Sequence, residues 1–363
     1  MNAPFLRFFG LFCLGFLAAC SLLVEAPPYR LFSASESAIR YTGRFDFGSG
    51  ARFAWTGSKI EARFTGHHVA LLMENEDSAR ICYLRIELDD RDTWDLAVSS
   101  DTMYYPLAED LEPGTHYLRV TRLNEPRQGV LRFGQFELAD TARLLPLPPA
   151  PERHLVFYGN SITAGYGNTG PDQHCAYSPE TQDGLKTYAA FTAEAVQASS
   201  QVHAYSGHGV WHNYDTLKVE TLPDVYDRVF PDSVGTDMDL SGSYADLVFV
   251  NLGTNDFAHR IPPRDTFVTR YVDFLTQLRQ AYAGAKIVCL TGSMMKGSKL
   301  SILKDYLAEI VALRQAAGEA ELYRFDLSTQ GALGFGCHTH PNVAQHEKNG
   351  AELTEFVKEL MEW

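Results

Sequence analysis

The sequence predicts a two-domain chain in which an antiparallel β-sandwich precedes an α/β domain with a mainly parallel sheet. Apolar residues alternate with period two up to about residue 138, and beyond that point apolar strands alternate with helical stretches. The length of 363 residues also exceeds what one ordinary core needs. We therefore expect a sandwich over residues 30–143, a proline-rich linker over 144–152 and an α/β domain over 153–363.

The N-terminus has the composition of a secretory signal. Arg7 precedes an almost unbroken apolar run that ends at Ala19, which is too short for a membrane span. The run closes as Leu17-Ala18-Ala19-Cys20, which matches the bacterial lipobox. We expect removal of residues 1–19, lipid on Cys20, and a tether over 20–29 that holds an exported lipoprotein at a membrane, in the periplasm or at the cell surface. The alternatives are an ordinary signal peptide cleaved nearby and an unprocessed anchor.

The charge balance restricts the partners. The net charge is −14, and it becomes −15 when residues 1–19, whose only charge is Arg7, are removed. Such a surface repels nucleic acid, whereas a neutral polysaccharide meets no repulsion. The only membrane contact that we expect is the lipid on Cys20.

The first domain has the pattern of half-buried strands. Apolar residues alternate with charged ones in two clear segments, at Ile60, Ala62 and Phe64 and at Leu84, Ile86 and Leu88. Turn signals such as Asp89-Asp90 and Glu112-Pro113-Gly114 separate the strands at short intervals, and no long helical stripe appears. This pattern predicts an antiparallel sandwich.

The second domain has five apolar segments of strand length. They lie at residues 155–158, 202–205, 246–252, 286–290 and 322–327. The stretches between them include a helical stripe that begins at Leu185 and ends at Val196. Because the carboxyl ends of parallel strands meet at one edge of a sheet, residues that follow these strands are expected to converge.

Ser161 is the candidate nucleophile. The apolar segment Leu155–Tyr158 runs directly into Gly159-Asn160-Ser161, so one hydroxyl is delivered to the carboxyl end of a strand. A serine hydroxyl is a poor nucleophile at neutral pH and needs a base and a set of hydrogen-bond donors.

Three further blocks supply those groups. A second buried strand ends in the turn Gly253-Thr254-Asn255-Asp256, which offers the Asn255 amide as a neutral donor. The segment Cys337–Asn342 supplies an imidazole after the last strand. The segment Val202–Gly209 ends in two glycines whose backbone N–H groups can approach an oxyanion closely.

These four blocks, in this order, resemble the SGNH hydrolase superfamily and most closely carbohydrate esterase family 2. The stretches Tyr166–Asn168 and Cys175–Gln182 are similar to the extended nucleophile block of that family. The resemblance extends over nearly all of the chain after residue 30. It implies a jelly-roll-like sandwich followed by a three-layer α/β/α hydrolase domain that works without a cofactor.

The resemblance also implies roles for single residues. Ser161 would be the nucleophile and His340 the general base. The oxyanion hole would consist of the Ser161 N–H, the Gly209 N–H and the Asn255 side chain, with Gly207 as the alternative glycine.

Two positions depart from the family pattern. Asn160 stands where an aspartate usually precedes the serine, and the acid expected two or three residues before the histidine is absent. The His340 ring still needs an acceptor for its Nδ1–H. That acceptor is either a backbone carbonyl, which gives a Ser-His dyad, or Asp326, which closes the last strand.

The roles of several further residues near the four blocks stay open. Trp211 and Tyr166 are candidates for stacking on a sugar ring, although aromatic residues near a site more often only pack. A bridge between Cys175 and Cys337 would brace both site loops, and export permits it. Three histidines cluster near the C-terminus, namely His338, His340 and His346, but their spacing matches no closed zinc site and we expect no metal.

The expected function is that of a serine carbohydrate O-acetyl esterase. Its substrate and partner, by resemblance, is an acetylated polysaccharide of the xylan or glucomannan type. Two other functions stay open: an SGNH lipase or thioesterase that acts on envelope lipids, and a noncatalytic carbohydrate-binding lipoprotein.

Overall fold

The computed structural model describes residues 28–89 and 91–363. The predicted signal peptide, Cys20 and almost all of the predicted tether lie outside the described residues. The first strand begins at Tyr29, so the sandwich starts one residue earlier than predicted. Of the helices in the described ranges, none combines the length and the apolar character that a bilayer crossing requires.

The first domain is built from short strands. They are β1 (Tyr29–Ser33), β2 (Arg40–Thr42), β3 (Ala51–Phe53), β4 (Lys59–Thr65), β5 (Val69–Asn75), β6 (Cys82–Leu88), β7 (Asp92–Val98), β8 (Tyr104–Ala108), β9 (Thr115–Arg122), β10 (Leu131–Ala139) and β11 (Leu144–Leu145). One sheet has the order β1-β10-β5-β8 with β3 also on β10, and the other has the order β11-β4-β9-β6-β7 with β2 also on β4. All of these pairings are antiparallel, which confirms the predicted sandwich.

The core of the sandwich lies between the two sheets. The period-two residues Ile60 and Phe64 of β4 are fully buried, and they join Phe133 and Phe136 of the facing sheet in one apolar cluster. Strand β11 pairs with β4, so the first two residues of the predicted linker 144–152 extend the sheet.

The second domain contains one parallel sheet and its helices. The strands are β12 (Arg153–Gly159), β13 (Ala198–Ala204), β14 (Leu247–Asn251), β15 (Lys286–Thr291) and β16 (Leu322–Asp326). The helices are α1 (Ser161–Ala164), α2 (Tyr188–Ala195), α3 (Leu222–Val225), α4 (Arg264–Ala281), α5 (Gly297–Ala316) and α6 (Val343–Met361), with short 3₁₀ turns at Pro126–Gln128, Pro179–Thr181 and Cys337–Thr339. The sheet order is β13-β12-β14-β15-β16, and every pairing is parallel.

Helices cover both faces of this sheet. Along β12, Leu155 and Phe157 pack into the cluster that contains residues of α2 and α6. The alternate residues Val156 and Tyr158 pack into the cluster that contains residues of α4 and α5. Burial on both faces explains why the strands are continuous apolar runs, and it confirms the α/β/α arrangement.

The two domains pack against each other through buried contacts. Trp55 of the sandwich is 1% exposed, joins the α/β core, and donates its Nε1–H to the Arg228 carbonyl oxygen at 2.9 Å. Arg44 of the sandwich donates to the hydroxyl of Tyr158 in β12 at 3.0 Å. The domains therefore form one packed body.

Replacing Trp55 by alanine tests this packing. Because a large buried side chain and one hydrogen bond are lost at the domain junction, we expect the free energy of unfolding to fall by about 3–5 kcal/mol. Phe47→Ala is the control, since Phe47 is 55% exposed. Urea unfolding followed by circular dichroism measures both variants. A loss below about 1 kcal/mol for Trp55→Ala would contradict the interface described here.

Candidate active site

A cavity of about 560 Å³ opens at the carboxyl edge of the parallel sheet. The segment after each of the five strands contributes to its wall: Gly207 after β13, Ser161 after β12, Asn255 after β14, Met295 after β15 and His340 after β16. The structure thus brings together the four blocks that the sequence singled out, as expected for parallel strands.

Ser161 is the first residue of α1 and is only 7% exposed. Asn160, which replaces the usual aspartate, caps this helix, because its Oδ1 accepts the Ile162 N–H at 3.1 Å. The Oγ of Ser161 lies 2.9 Å from Nε2 of His340. The candidate nucleophile and base are therefore within hydrogen-bonding distance.

The second nitrogen of the His340 ring bonds to the backbone. Its Nδ1 lies 3.2 Å from the carbonyl oxygen of His338. A carbonyl oxygen can only accept, so Nδ1 carries the proton and Nε2 presents its lone pair to the Ser161 hydroxyl. The alternative acid, Asp326, instead lies 3.3 Å from Lys304 and 3.6 Å from Arg324.

The turn that carries this carbonyl has an uncommon backbone. His338 (φ 50°, ψ 40°) and Thr339 (φ 58°) are both in the left-handed region, which costs about 1–2 kcal/mol for each such residue. Several contacts hold the turn in place. A disulfide joins Cys337 to Cys175, and the Thr339 carbonyl accepts a hydrogen bond from Gln330 at 2.6 Å. The other two cysteines among the described residues, Cys82 and Cys289, are free and buried.

The structure favours Gly207, the alternative, over Gly209 as the glycine of the predicted oxyanion hole. The N–H of Gly209 donates to Asn213 Oδ1 at 3.2 Å, and Gly209 does not line the cavity. Gly207, the alternative, does line the cavity, and within residues 28–89 and 91–363 its N–H has no acceptor. Its φ of 86° favours glycine. Gly209 has a packing role, since a Cβ there would lie 2.1 Å from the His212 carbonyl oxygen and 2.6 Å from Asp256 Oδ2.

Asp256 shapes the loop that follows Gly207. Its carboxylate is fully buried and accepts the backbone N–H groups of Val210, Trp211 and His212 at 2.8 to 3.2 Å. Burial raises the pKa of Asp256, and these three N–H bonds partly offset the shift. The role of Asp256 was not predicted from the sequence, although its position directly after Asn255 was a usable signal.

Asn255 and the serine backbone supply the other donors. Asn255 lines the cavity and donates one Nδ2 hydrogen to the His208 carbonyl at 2.7 Å, which leaves its second hydrogen available. The Ser161 N–H likewise has no acceptor among the described residues. Together with the Gly207 N–H, these groups can surround a developing oxyanion.

The sandwich domain also contributes to the cavity, through the loop at residues 123–129. Buried Arg122 shapes this loop by donating to the carbonyl oxygens of Asn124 and Glu125 at 2.9 Å and of Gly129 at 2.8 Å. The loop presents Arg127 to the cavity.

Glu125 of the same loop contacts the segment before Gly207. Its Oε2 accepts the Ser206 N–H at 2.6 Å, and the side chain is fully buried. Sequence reasoning missed Glu125 and Arg127 because they belong to the other domain and no local motif marks them.

The two predicted sugar-stacking aromatics differ in placement. Tyr166 lines the cavity, and its hydroxyl lies 3.0 Å from His338 Nδ1. Trp211 does not line the cavity. Its indole instead packs against the side chains of Lys218 and Arg260, at 4.7 and 5.7 Å from the ring centre. The geometry therefore favours a site role for Tyr166 and a packing role for Trp211.

The three C-terminal histidines have separate contacts. His346 is buried, its Nδ1 accepts the Tyr188 N–H at 3.2 Å, and it makes no hydrogen bond to Ser161 or His340 among the described residues. Within the described ranges, no three or more His, Cys, Asp or Glu side chains are grouped so that they could hold a metal ion.

The environment of His340 favours the neutral ring. Burial lowers the pKa of His340 from 6.5 to about 4, against the raising effect of its hydrogen bond to the His338 carbonyl. The unprotonated form that a base requires is therefore fully populated at neutral pH.

This pKa is measurable in the whole protein. Because the buried ring resists protonation, we expect the His340 Cε1–H resonance to titrate near pH 4 in an NMR titration. The spectrum of His340→Gln assigns the signal. A midpoint at or above 6.5 would contradict the burial argument.

Comparisons with known proteins agree with this architecture. The carbohydrate esterase 2 N-terminal family matches residues 41–148, and the GDSL-like lipase/acylhydrolase family matches residues 157–348. The chain is 30% identical over 328 residues to a cellulase/esterase, CelE, of Acetivibrio thermocellus, covering 90% of this chain and 40% of that protein. It is 24% identical over 359 residues to an acetylxylan esterase/glucomannan deacetylase of Cellvibrio japonicus, covering 96% of each.

Solved structures give the same result. A family two carbohydrate esterase from Clostridium thermocellum, in complex with cellohexaose, superposes with a TM-score of 0.85 at 30% identity, covering 90% of this chain and 99% of that one. A family two carbohydrate esterase from Cellvibrio japonicus has a TM-score of 0.85 at 22% identity, covering 92% and 98%, which supports the fold alone. These findings confirm the resemblance: the chain belongs to the GDSL-like lipase/acylhydrolase family and carries the N-terminal domain of carbohydrate esterase family 2.

Proposed function

We propose that this protein is a serine esterase that removes O-acetyl groups from polysaccharides of the xylan or glucomannan type. The observation that carries the proposal is the 2.9 Å contact between Ser161 Oγ and His340 Nε2 inside the cavity. Relatives named as acetylxylan esterase/glucomannan deacetylase support the choice of substrate.

In the first half of the reaction, Ser161 Oγ attacks the ester carbonyl carbon while His340 Nε2 takes the hydroxyl proton. The oxyanion that forms accepts hydrogen bonds from the Ser161 and Gly207 N–H groups and from the Asn255 amide. Collapse of the tetrahedral intermediate releases the sugar hydroxyl, which receives the proton from His340. The acetyl group is now bound to Ser161.

In the second half, water attacks this acyl group and His340 again takes the proton. Collapse releases acetate and restores the Ser161 hydroxyl. Throughout, the His338 carbonyl accepts the Nδ1–H, so the ring keeps one orientation and its transient positive charge meets a partial negative charge. The dyad thus works without a carboxylate.

The lining of the cavity favours a sugar over a lipid. Beside the apolar side chains of Phe257, Met294 and Met295, the wall carries the hydroxyl groups of Tyr166 and Tyr214 and three cationic side chains. A lipase would need a long apolar groove to bind the acyl chain of its substrate. The hydrogen-bonded Ser161–His340 pair argues against a carbohydrate-binding module without activity. So do the N–H groups of Ser161 and Gly207, which have no acceptor among the described residues.

The proposed site of action outside the cytoplasm rests on the sequence alone. We propose that the lipobox at Leu17–Cys20 directs export and lipid attachment, which would leave the two domains in water beside a membrane. Polysaccharide outside the cell would then be accessible to the cavity.

Two variants test the catalytic assignment. We expect Ser161→Ala to abolish acetate release from acetylated xylan, because it removes the nucleophile. Asn255→Ala is expected to lower kcat by about a hundredfold or more, because it removes one oxyanion donor. Thermal unfolding checks that each variant is folded. If wild type and Ser161→Ala bind the polysaccharide equally and neither releases acetate, the protein is a binding module instead.

A second pair of variants tests the dyad. We expect kcat of Asp326→Asn to stay within about threefold of wild type, because the His338 carbonyl already orients the ring, whereas His340→Ala should lose activity. A carboxylate that oriented His340 would be worth about 10⁴-fold in kcat. A loss near that size in Asp326→Asn, measured as acetate release, would assign the role to Asp326.

A further inference from the structure

The charged side chains that line the cavity are all cationic. They are Arg127, Lys296 and Lys299, and no aspartate or glutamate among the described residues lines this cavity. The chain as a whole has the opposite bias, with 45 acidic and 31 basic residues. The composition of the protein therefore does not account for the charge of the cavity.

These three cations keep their charge available. Within residues 28–89 and 91–363, none of them has a carboxylate oxygen within 4.0 Å, although ion pairs are frequent elsewhere. Two of them donate to backbone carbonyls: Lys299 to Ala258 at 2.8 Å and Arg127 to Ser206 at 3.3 Å. The ammonium group of Lys296 lies over the Phe335 ring, 5.6 Å from its centre. Such contacts orient the side chains without neutralising them.

Two carboxyl groups lie behind the cavity wall and are not part of its lining. Glu125 and Asp256 are fully buried and bind backbone N–H groups of the cavity loops. Burial raises the pKa of both groups, which disfavours their charged form.

More positive charge lies beside the cavity. Lys218 and Arg260 both sit over the indole of Trp211, and neither has an ion-pair partner in the part of the chain that the structure describes. Arg260 follows Ala258, which lines the cavity, and His259 between them bonds to the carbonyl of cavity residue Tyr214 at 2.8 Å. The positive region therefore extends beyond the cavity wall.

We propose that the preferred substrate is an acetylated polysaccharide that bears carboxylates, with a uronic acid unit near the acetylated sugar. Lys296 and Lys299, which both follow β15, would hold that carboxylate while the acetyl ester meets Ser161, and Arg127 adds positive charge to the cavity. This inference rests on the proposed esterase function and narrows its substrate class. A neutral acetylated chain is then a poorer substrate, because it gains nothing from the cations.

The test compares two acetylated xylo-oligosaccharides of equal length, one with glucuronic acid side groups and one without. We expect wild-type kcat/KM for acetate release to be about tenfold higher for the acidic substrate at low salt, since each partly exposed ion pair adds a few-fold. The ratio should approach one in about 0.5 M NaCl, because salt screens exposed charges.

A matched pair of double variants assigns the preference. The ratio compared is kcat/KM for the acidic substrate divided by kcat/KM for the neutral one. We expect the double variant Lys296→Gln/Lys299→Gln to reduce this ratio to between one and three, mainly because KM for the acidic substrate rises. The control Lys348→Gln/Lys358→Gln removes the same charge from α6 and should keep the wild-type ratio. Hydrolysis of 4-nitrophenyl acetate reports whether the Ser161–His340 pair is intact in each variant.

The outcomes separate the two proposals. Acetate release by wild type with equal kcat/KM for both oligosaccharides overturns the uronate inference alone. An equal fall of the ratio in both double variants also overturns it, because the effect would then come from net charge. No hydrolysis of either oligosaccharide or of 4-nitrophenyl acetate overturns the esterase function, and the inference with it.

Discussion

The site depends on one hydrogen bond, from Nδ1–H of His340 to the carbonyl oxygen of His338. This bond fixes the tautomer and thereby lets Nε2 accept the Ser161 hydroxyl proton. Unlike a carboxylate, a carbonyl oxygen does not ionise. It can orient the His340 ring only while the backbone holds it in place. Two left-handed residues build that turn, and the Cys175–Cys337 disulfide holds it from a distance of 162 residues in sequence. In the chain-entropy account, a link over such a separation contributes about 5 kcal/mol.

Two buried carboxyl groups prepare the backbone around the proposed oxyanion hole. Glu125 binds the N–H of Ser206, directly before Gly207, and Asp256 binds the N–H groups of the loop that begins at Val210. Between these fixed segments lies Gly207, which lines the cavity and whose N–H has no acceptor in the described ranges. Such donors are already oriented before the reaction, which is the condition for strong stabilisation of a transition state.

The sandwich is part of the active-site structure and not only an attached module. Its Arg122 shapes the loop that brings Glu125 and Arg127 to the cavity, and its Trp55 fills part of the α/β core. A change in the sandwich can therefore alter the oxyanion hole without touching the Ser161–His340 pair. This arrangement gives a physical reason for the two domains to occur in one chain.

The sequence by itself determined the two domain types and the strand ends at which Ser161, Asn255 and His340 lie, because hydrophobic periodicity and strand-end turns are local patterns. Only the tertiary structure decided between Gly207 and Gly209 and between the His338 carbonyl and Asp326. Those choices depend on which acceptor reaches which N–H. The His338 carbonyl and Asn213 Oδ1 are near in sequence to the groups they bind, but the contacts that fix the backbone beside Gly207 come from far along the chain: Glu125 is 81 residues from Ser206 and Asp256 is 45 residues from Trp211. No local pattern encodes such pairings, so they appear only once the chain is folded.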